Sequence, residues 1–218
     1  MSVTTPHVTR TATGPRRART QFEGLVVLGG IVTIMWALEA INALSSNQLS
    51  QHDGIYARNL DHVWAIFTAP FLHFSWQHLI ANTVPFVFMG LIIALQGAKR
   101  LLIVTAVVIV VGGVGTWLIA PAGSDTAGAS GVVFGYATYL FARGFFDRSV
   151  LEILAGAVVG VVWGGALLSS IVPHYGVSWQ AHVCGAIGGV LAAYLLRRDR
   201  PRRLGAGPPS PLDRALAS

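Results

Sequence analysis

Six apolar segments follow one another along this chain, near Leu25–Leu44, His78–Leu95, Leu101–Ala120, Ser130–Ala142, Val150–Leu168 and Ala181–Leu196. In hydrocarbon no water can satisfy backbone N–H and C=O groups, so such segments must form helices. A spanning helix takes about 20 apolar residues. The third and fifth segments meet that length readily, and the fourth falls short of it. Composition points the same way. Of the 218 residues 53% are hydrophobic and 11% charged, where a soluble domain carries about a quarter charged. The expectation is an all-α polytopic membrane protein, a six-helix bundle over residues 23–198 with no second folded unit. The single Cys184 excludes an internal disulfide framework and a cysteine-built zinc site.

The flanks differ from the middle. Residues 1–22 hold Thr and Arg, no acid and no apolar run. They read as a disordered basic tail, and their composition also fits an organelle transit peptide. Residues 199–218, basic and then rich in Pro and Gly, read as a second disordered tail.

Charge sets the expected orientation. With six spans and a cytoplasmic N-terminus, 14 of the 15 Lys and Arg residues face the cytoplasm, and only Arg58 lies outside. Cytoplasmic loops carry this excess. The chain is thus expected to be multi-pass in a bacterial plasma membrane with both termini cytoplasmic. The net charge of +6 sits in short clusters beside apolar segments. That assigns it to topology and the lipid bilayer, not to nucleic acid.

Strongly polar side chains inside a bilayer are costly, so each is a functional candidate. Three groups stand out. The second segment opens with His73, His78 and Asn82, the fourth with Ser130 in Gly128-Ala129-Ser130-Gly131, and the sixth with His182. Counted at 1.5 Å per residue from Arg143, Arg197 and Lys99, Ser130, His182 and Asn82 lie roughly 20, 22 and 25 Å from the inner boundary. In a core about 30 Å thick they share one layer of the outer half. Gly131 and Gly135, and Gly185 and Gly189, are spaced for close helix packing in lipid. His182, Gly185 and Gly189 share one helix face.

The parts suggest acyl transfer. A serine hydroxyl is a weak nucleophile until an adjacent base takes its proton, and neutral histidine suits that task. A developing oxyanion needs aimed donors. Ser130 at a helix start offers its own N–H, and His78 and Asn82, four apart on one helix, can add side-chain donors. No acid lies near His182 in sequence, which leaves a Ser–His dyad. Ser130 as a plain helix cap is the bland reading of the same residue.

At these residues the sequence resembles the rhomboid intramembrane serine proteases. The matching motifs are Gly128 to Gly131 in the fourth segment, Ala181-His182 with Gly185 and Gly189 in the sixth, and His73, His78 and Asn82 in the second. The resemblance covers about residues 25–197. It implies a six-helix core, Ser130 as nucleophile, His182 as base, His78 and Asn82 at the oxyanion, and Phe134 packed on the catalytic imidazole. It also implies single-span membrane proteins as substrates and no cofactor. The family's Trp-Arg pair in the first external loop is missing, since Ala65 follows Trp64.

Other readings stay open on the sequence alone. A rhomboid-like pseudoprotease would bind transmembrane helices without cutting them. A metal or haem protein using His73, His78 and His182 would leave the Gly-Ala-Ser-Gly motif unexplained. A transporter would need paired half-helices, and none is visible. His73 reads as a residue that fixes loop structure, and His174 and Cys184 as structural. Glu39 in the first segment has two readings: a hydrogen bond to the external loop through Arg58 or His52, or a reach to interfacial water. Gly156 on the fifth segment is expected to lie away from the dyad.

Overall fold

Helices in the computed structural model, which describes residues 14–173 and 176–197, follow the apolar segments but overrun their edges. Arg10, His174 and the whole of residues 199–218 lie outside the described residues. The first helix, α1 (Gly14–Leu44), begins inside the segment expected to be a disordered tail. Residues 14–22 are helical because they have something to hold. The Thr20 methyl packs on Gly97, Gly24 abuts the backbone carbonyl of Ala94, and Arg19 pairs with Glu23 one turn on at 2.9 Å.

Ser75 caps α4 (Trp76–Ala94), its hydroxyl accepting from the His78 N–H at 3.2 Å. α5 (Ala98–Ile119) follows after Gly97, whose φ of 114° makes the turn. α6 (Ser130–Asp147) runs a full turn past the apolar segment that predicted it. The extension survives burial because Arg143, buried in it, pairs with Asp147 at 3.2 Å and with Glu152, and donates to the Tyr139 hydroxyl at 3.1 Å. α7 (Val150–Ile171) stops before Pro173, and Ser178 caps α8 (Trp179–Leu195) by accepting from the Ala181 N–H.

Four of these helices, α1 from Arg16, α4, α5 and α7, are long and apolar enough to cross a membrane. α6 and α8, of 18 and 17 residues, fall outside that group. Their position accounts for it. α6 and α8 form the centre, where small and polar residues replace the bulk that lipid demands of an outer helix. The two run parallel: a Cβ on Gly185 would overlap the Gly131 carbonyl oxygen, and one on Gly189 the Gly135 carbonyl oxygen. α5 packs on the other side of α8, its Gly112 against the Gly185 Cα and its Gly115 against Cys184. α7 lies antiparallel on α6, and α1 lies against α4. Tyr136, Tyr139, Phe86 and Met89 fill the middle, while Phe141, Leu154, Val161 and Leu168 face outward.

The connection from α1 to α4 contains the short helices α2 (Gln48–His52) and α3 (Ala65–Thr68) and a 3-10 turn at Ala69–Phe71. Its strand β1 (Ile55–Tyr56) pairs antiparallel with β2 (Asp125–Thr126), Ile55 opposite Thr126 and Tyr56 opposite Asp125. Arg58 fastens the same loop to the end of α5, donating to the carbonyls of Leu118 and Ala120 at 2.8 and 2.9 Å. The long loop is therefore tied to the segment that leads into Ser130.

Candidate functional site

The chain enters α6 through Ala127, Gly128 and Ala129, and the backbone donors of Gly128 and Ala129 are both used. Gly128 N–H donates to the Ala69 carbonyl at 2.9 Å, and Ala129 N–H to His73 Nε2 at 3.4 Å. Gly128 has φ 121°, and a Cβ on it would lie 2.7 Å from His78 Cε1, 2.8 Å from His78 Nε2 and 3.4 Å from Asn82 Nδ2. Only glycine meets both conditions. Ser130, half-buried, is the first residue of α6. At this position its backbone N–H has no partner inside the helix and points out of the helix end.

His78 and Asn82 stand one turn apart on α4 and bring their side-chain nitrogens to the Gly128 backbone. Asn82 is buried, and its Nδ2 has no hydrogen-bond partner among the described residues. A buried amide donor left open beside a serine is available to a negative oxygen arriving there. The His78 ring stacks on Phe74 and meets His73 edge-on at 5.1 Å. His73 is fully buried. Burial, and then its neighbour His78, push its pKa down to about 3. It is therefore neutral, as the acceptor of the Ala129 N–H must be.

His182 arrives from α8. It is 5% exposed and lies flat on Phe134, ring centroids 4.3 Å apart and planes 10° from parallel. Phe134 is four residues after Ser130, so both project from one face of α6. Beneath them Gly131 meets the Ala181 carbonyl, where a Cβ would lie 3.1 Å from the oxygen. Thr138 adds a cross-helix bond, donating to the Ala186 carbonyl at 2.7 Å. Serine and imidazole thus sit at the same end of two helices in backbone contact. His182 Nδ1 lies 2.8 Å from the Ser170 carbonyl in the last turn of α7.

Residues 60–199 match the sequence pattern of the Rhomboid domain. The chain belongs to the rhomboid family. The rhomboid is 40% identical over 197 residues to an uncharacterized protein of Mycobacterium tuberculosis, covering 86% of this chain and 81% of that one. It is 42% identical over 190 residues to one of Mycobacterium leprae, covering 83% and 74%. With the rhomboid protease GlpG of Salmonella paratyphi A it shares 26% identity over 144 residues, 61% of this chain and 48% of that one. A family of helical membrane bundles and the apolar helices here make this rhomboid a multi-pass membrane protein.

One sequence expectation for this rhomboid needs correction. Glu39 pairs with neither Arg58 nor His52. It is buried on α1 and accepts from Asn42 Nδ2 at 3.3 Å, one turn away on the same helix. Arg58 is unavailable because it holds the end of α5. Asn42 also donates to the His73 carbonyl at 2.9 Å and, through its Oδ1, accepts from the Ser50 N–H at 3.1 Å. It joins Glu39 to the turn that supports the site. An asparagine inside an apolar segment was a visible signal for this network. The Ser170 carbonyl, a backbone group, left none. Among the described residues no group of three His, Cys, Asp or Glu side chains could hold a metal ion.

Proposed function

We propose that this rhomboid is an intramembrane serine endopeptidase that cuts single-span membrane proteins near the outer end of their transmembrane segment. Ser130 Oγ attacks the scissile carbonyl while His182 takes its proton. The oxyanion is held by the Ser130 N–H with the side chains of His78 and Asn82. His182 then returns the proton to the leaving amine, and water repeats the cycle on the acyl-enzyme. The observation that carries this reading is the backbone contact of α6 and α8 at Gly131 and Gly185, with Phe134 stacked on His182 beside Ser130.

The orientation belongs to the same reading. Six helices span a bacterial plasma membrane, the short α6 and α8 shielded by the others, with both termini cytoplasmic. Lys99, Arg100 and Arg148 stand at the end of the bundle away from Ser130, as that orientation requires. Helical substrate backbone must open before attack, so small or helix-breaking residues are expected near the cut. The test is cleavage of a generic transmembrane substrate in detergent by the wild type and by Ser130→Ala. Cleavage by the variant at the wild-type rate defeats the proposal. Binding without cleavage by the wild type would favour a pseudoprotease.

A further inference from the structure

The imidazole of His182 is constrained twice. Phe134 sets the plane of the ring, and the bond from Nδ1 to the Ser170 carbonyl sets its direction within that plane. A carbonyl oxygen only accepts, so at 2.8 Å Nδ1 must carry the hydrogen. In the neutral ring that leaves Nε2 with its lone pair, the form a general base needs. The carbonyl is free for this because the last four C=O groups of a helix have no partner within it. Ser170 is the second-last residue of α7.

α7 is held unevenly. Toward the Arg143 end it is locked to α6: a Cβ on Gly144 would lie 2.8 Å from the Ile153 nitrogen, and one on Gly156 2.9 Å from the Phe141 Cα. Arg143 pairs with Glu152 at the same place. Beyond Gly156 the close backbone contacts end, and side chains such as Val159, Trp163 and Leu167 hold the helix to the core. Gly160, Gly164 and Gly165 have nothing within 4 Å of an added Cβ, and Val161 is 86% exposed. Ser170 sits at the far tip of this half, which side chains hold and no close backbone contact at its glycines does.

Resting on the dyad reading above, we propose that the Ser170 carbonyl is the positioning group of His182, filling the place a carboxylate fills in a three-residue site. It selects the Nδ1–H tautomer and makes the state of the base depend on where the outer half of α7 lies. In the acylation step the Oγ–H proton passes to Nε2 as the Oγ pair bonds the carbonyl carbon. The resulting imidazolium keeps Nδ1–H on Ser170, a bond strengthened by charge. Collapse then breaks the C–N bond, and the Nε2 proton leaves with the amine.

The experiment uses the full chain, labelled with 15N-histidine in detergent, and a His182→Asn sample to assign the resonance. The proposal expects a single Nδ1–H tautomer at neutral pH. An Nε2–H tautomer overturns it, whether or not the protein cleaves anything. A second arm replaces Ile171 by its α-hydroxy acid, turning the Ser170–Ile171 amide into an ester with a weaker acceptor carbonyl. The matched control does the same at Leu168, which deletes a helix N–H but leaves the Ser170 carbonyl an amide. The ester at 171 should lower kcat roughly three- to tenfold, leave KM nearly unchanged and introduce Nε2–H signal. The ester at 168 should do none of these. Equal effects from both esters would remove Ser170 from this role and leave the dyad itself intact, whereas cleavage that survives Ser130→Ala would defeat the dyad and leave the tautomer result standing.

Discussion

Phe134 and His182 stack face to face, 4.3 Å between ring centroids, although they belong to different helices. The contact is possible only because Gly131, Gly135, Gly185 and Gly189 let the backbones of α6 and α8 touch. Packing and the proposed chemistry therefore rest on one feature at this site, and the substitutions that test the two differ in what they remove.

Ser130→Ala and His182→Ala should each abolish proteolysis, and the double variant should be no worse than either. Groups that act as one unit are non-additive in this way. A fluorophosphonate probe should label Ser130 in the wild type and fail in both variants. Multiplying losses in the double variant would mean the two residues work independently.

Asn82→Ala should lower kcat by about 10²–10³ and leave substrate binding close to wild type. The ground-state carbonyl needs that donor less than the tetrahedral intermediate does. Its Nδ2, buried and open beside Gly128, costs the resting protein a hydrogen bond it could otherwise have made. Steady-state kinetics with a fluorogenic transmembrane substrate decides this. Unchanged kcat would take Asn82 out of the oxyanion site.

Gly185→Leu should fold poorly or lose activity by 10²-fold or more. Gly185→Ala should also lose most of its activity, since even one methyl would collide with the Gly131 carbonyl oxygen. Gly156, expected from the sequence to lie away from the dyad, would look like a neutral control for leucine. Gly156 does lie away from the dyad, but it presses on the Phe141 backbone of α6. Gly160, with nothing within 4 Å, is the proper comparison. Gly160→Leu should insert, fold and cleave nearly as wild type. Wild-type cleavage by Gly185→Leu would show that α6 and α8 do not meet there.

Asp125→Asn should change how stability depends on pH. Burial lifts the Asp125 carboxyl from 3.8 to about 6, with Asp53 also raising it and the Thr126 backbone and His52 pulling it down. Between those values the folded protein holds a proton that the unfolded chain has released. Stability from this group therefore falls as pH rises through that window. His73 slopes the other way: neutral when folded down to about 3, it adds stability as pH climbs toward 6.5. The Asp125 effect must accordingly be read as a difference between variant and wild type. Thermal unfolding in detergent from pH 4 to 7 should show the variant gaining on the order of 1 kcal/mol at the upper end. Parallel curves would mean Asp125 ionises normally.

Much of this was legible in the sequence, and the illegible part has a common cause. Apolar runs marked the long helices because lipid leaves the backbone no alternative, and Gly131 and Gly185 marked the contact because no other residue permits it. The early start of α1 was hidden, since Thr20 and Gly24 are helical by virtue of partners around Ala94 and Gly97. The pairing of Ile55 with Thr126 was hidden too, because two-residue strands carry no periodicity of their own. α6 outran its apolar run because Arg143 pairs with Asp147 one turn on and meets Glu152 once α7 has folded back. The candidate side chains carried signals in the sequence. Their backbone supports did not.

The parallel course of α6 and α8 has an electrical consequence. Aligned peptide dipoles leave about half a positive charge at a helix N-terminus and half a negative charge at its C-terminus. The N-terminal turns of the two therefore lie side by side where Gly131 meets Ala181, a repulsive arrangement that the glycine contacts must overcome. Antiparallel α7 brings its C-terminus to His182 through Ser170. An oxyanion formed at Ser130 would face the positive poles, and an imidazolium at His182 would touch the negative one. In a medium of low dielectric constant such fixed poles act with little screening. The bundle then carries, before any substrate arrives, the polarity of the charge-separated state it is proposed to stabilise.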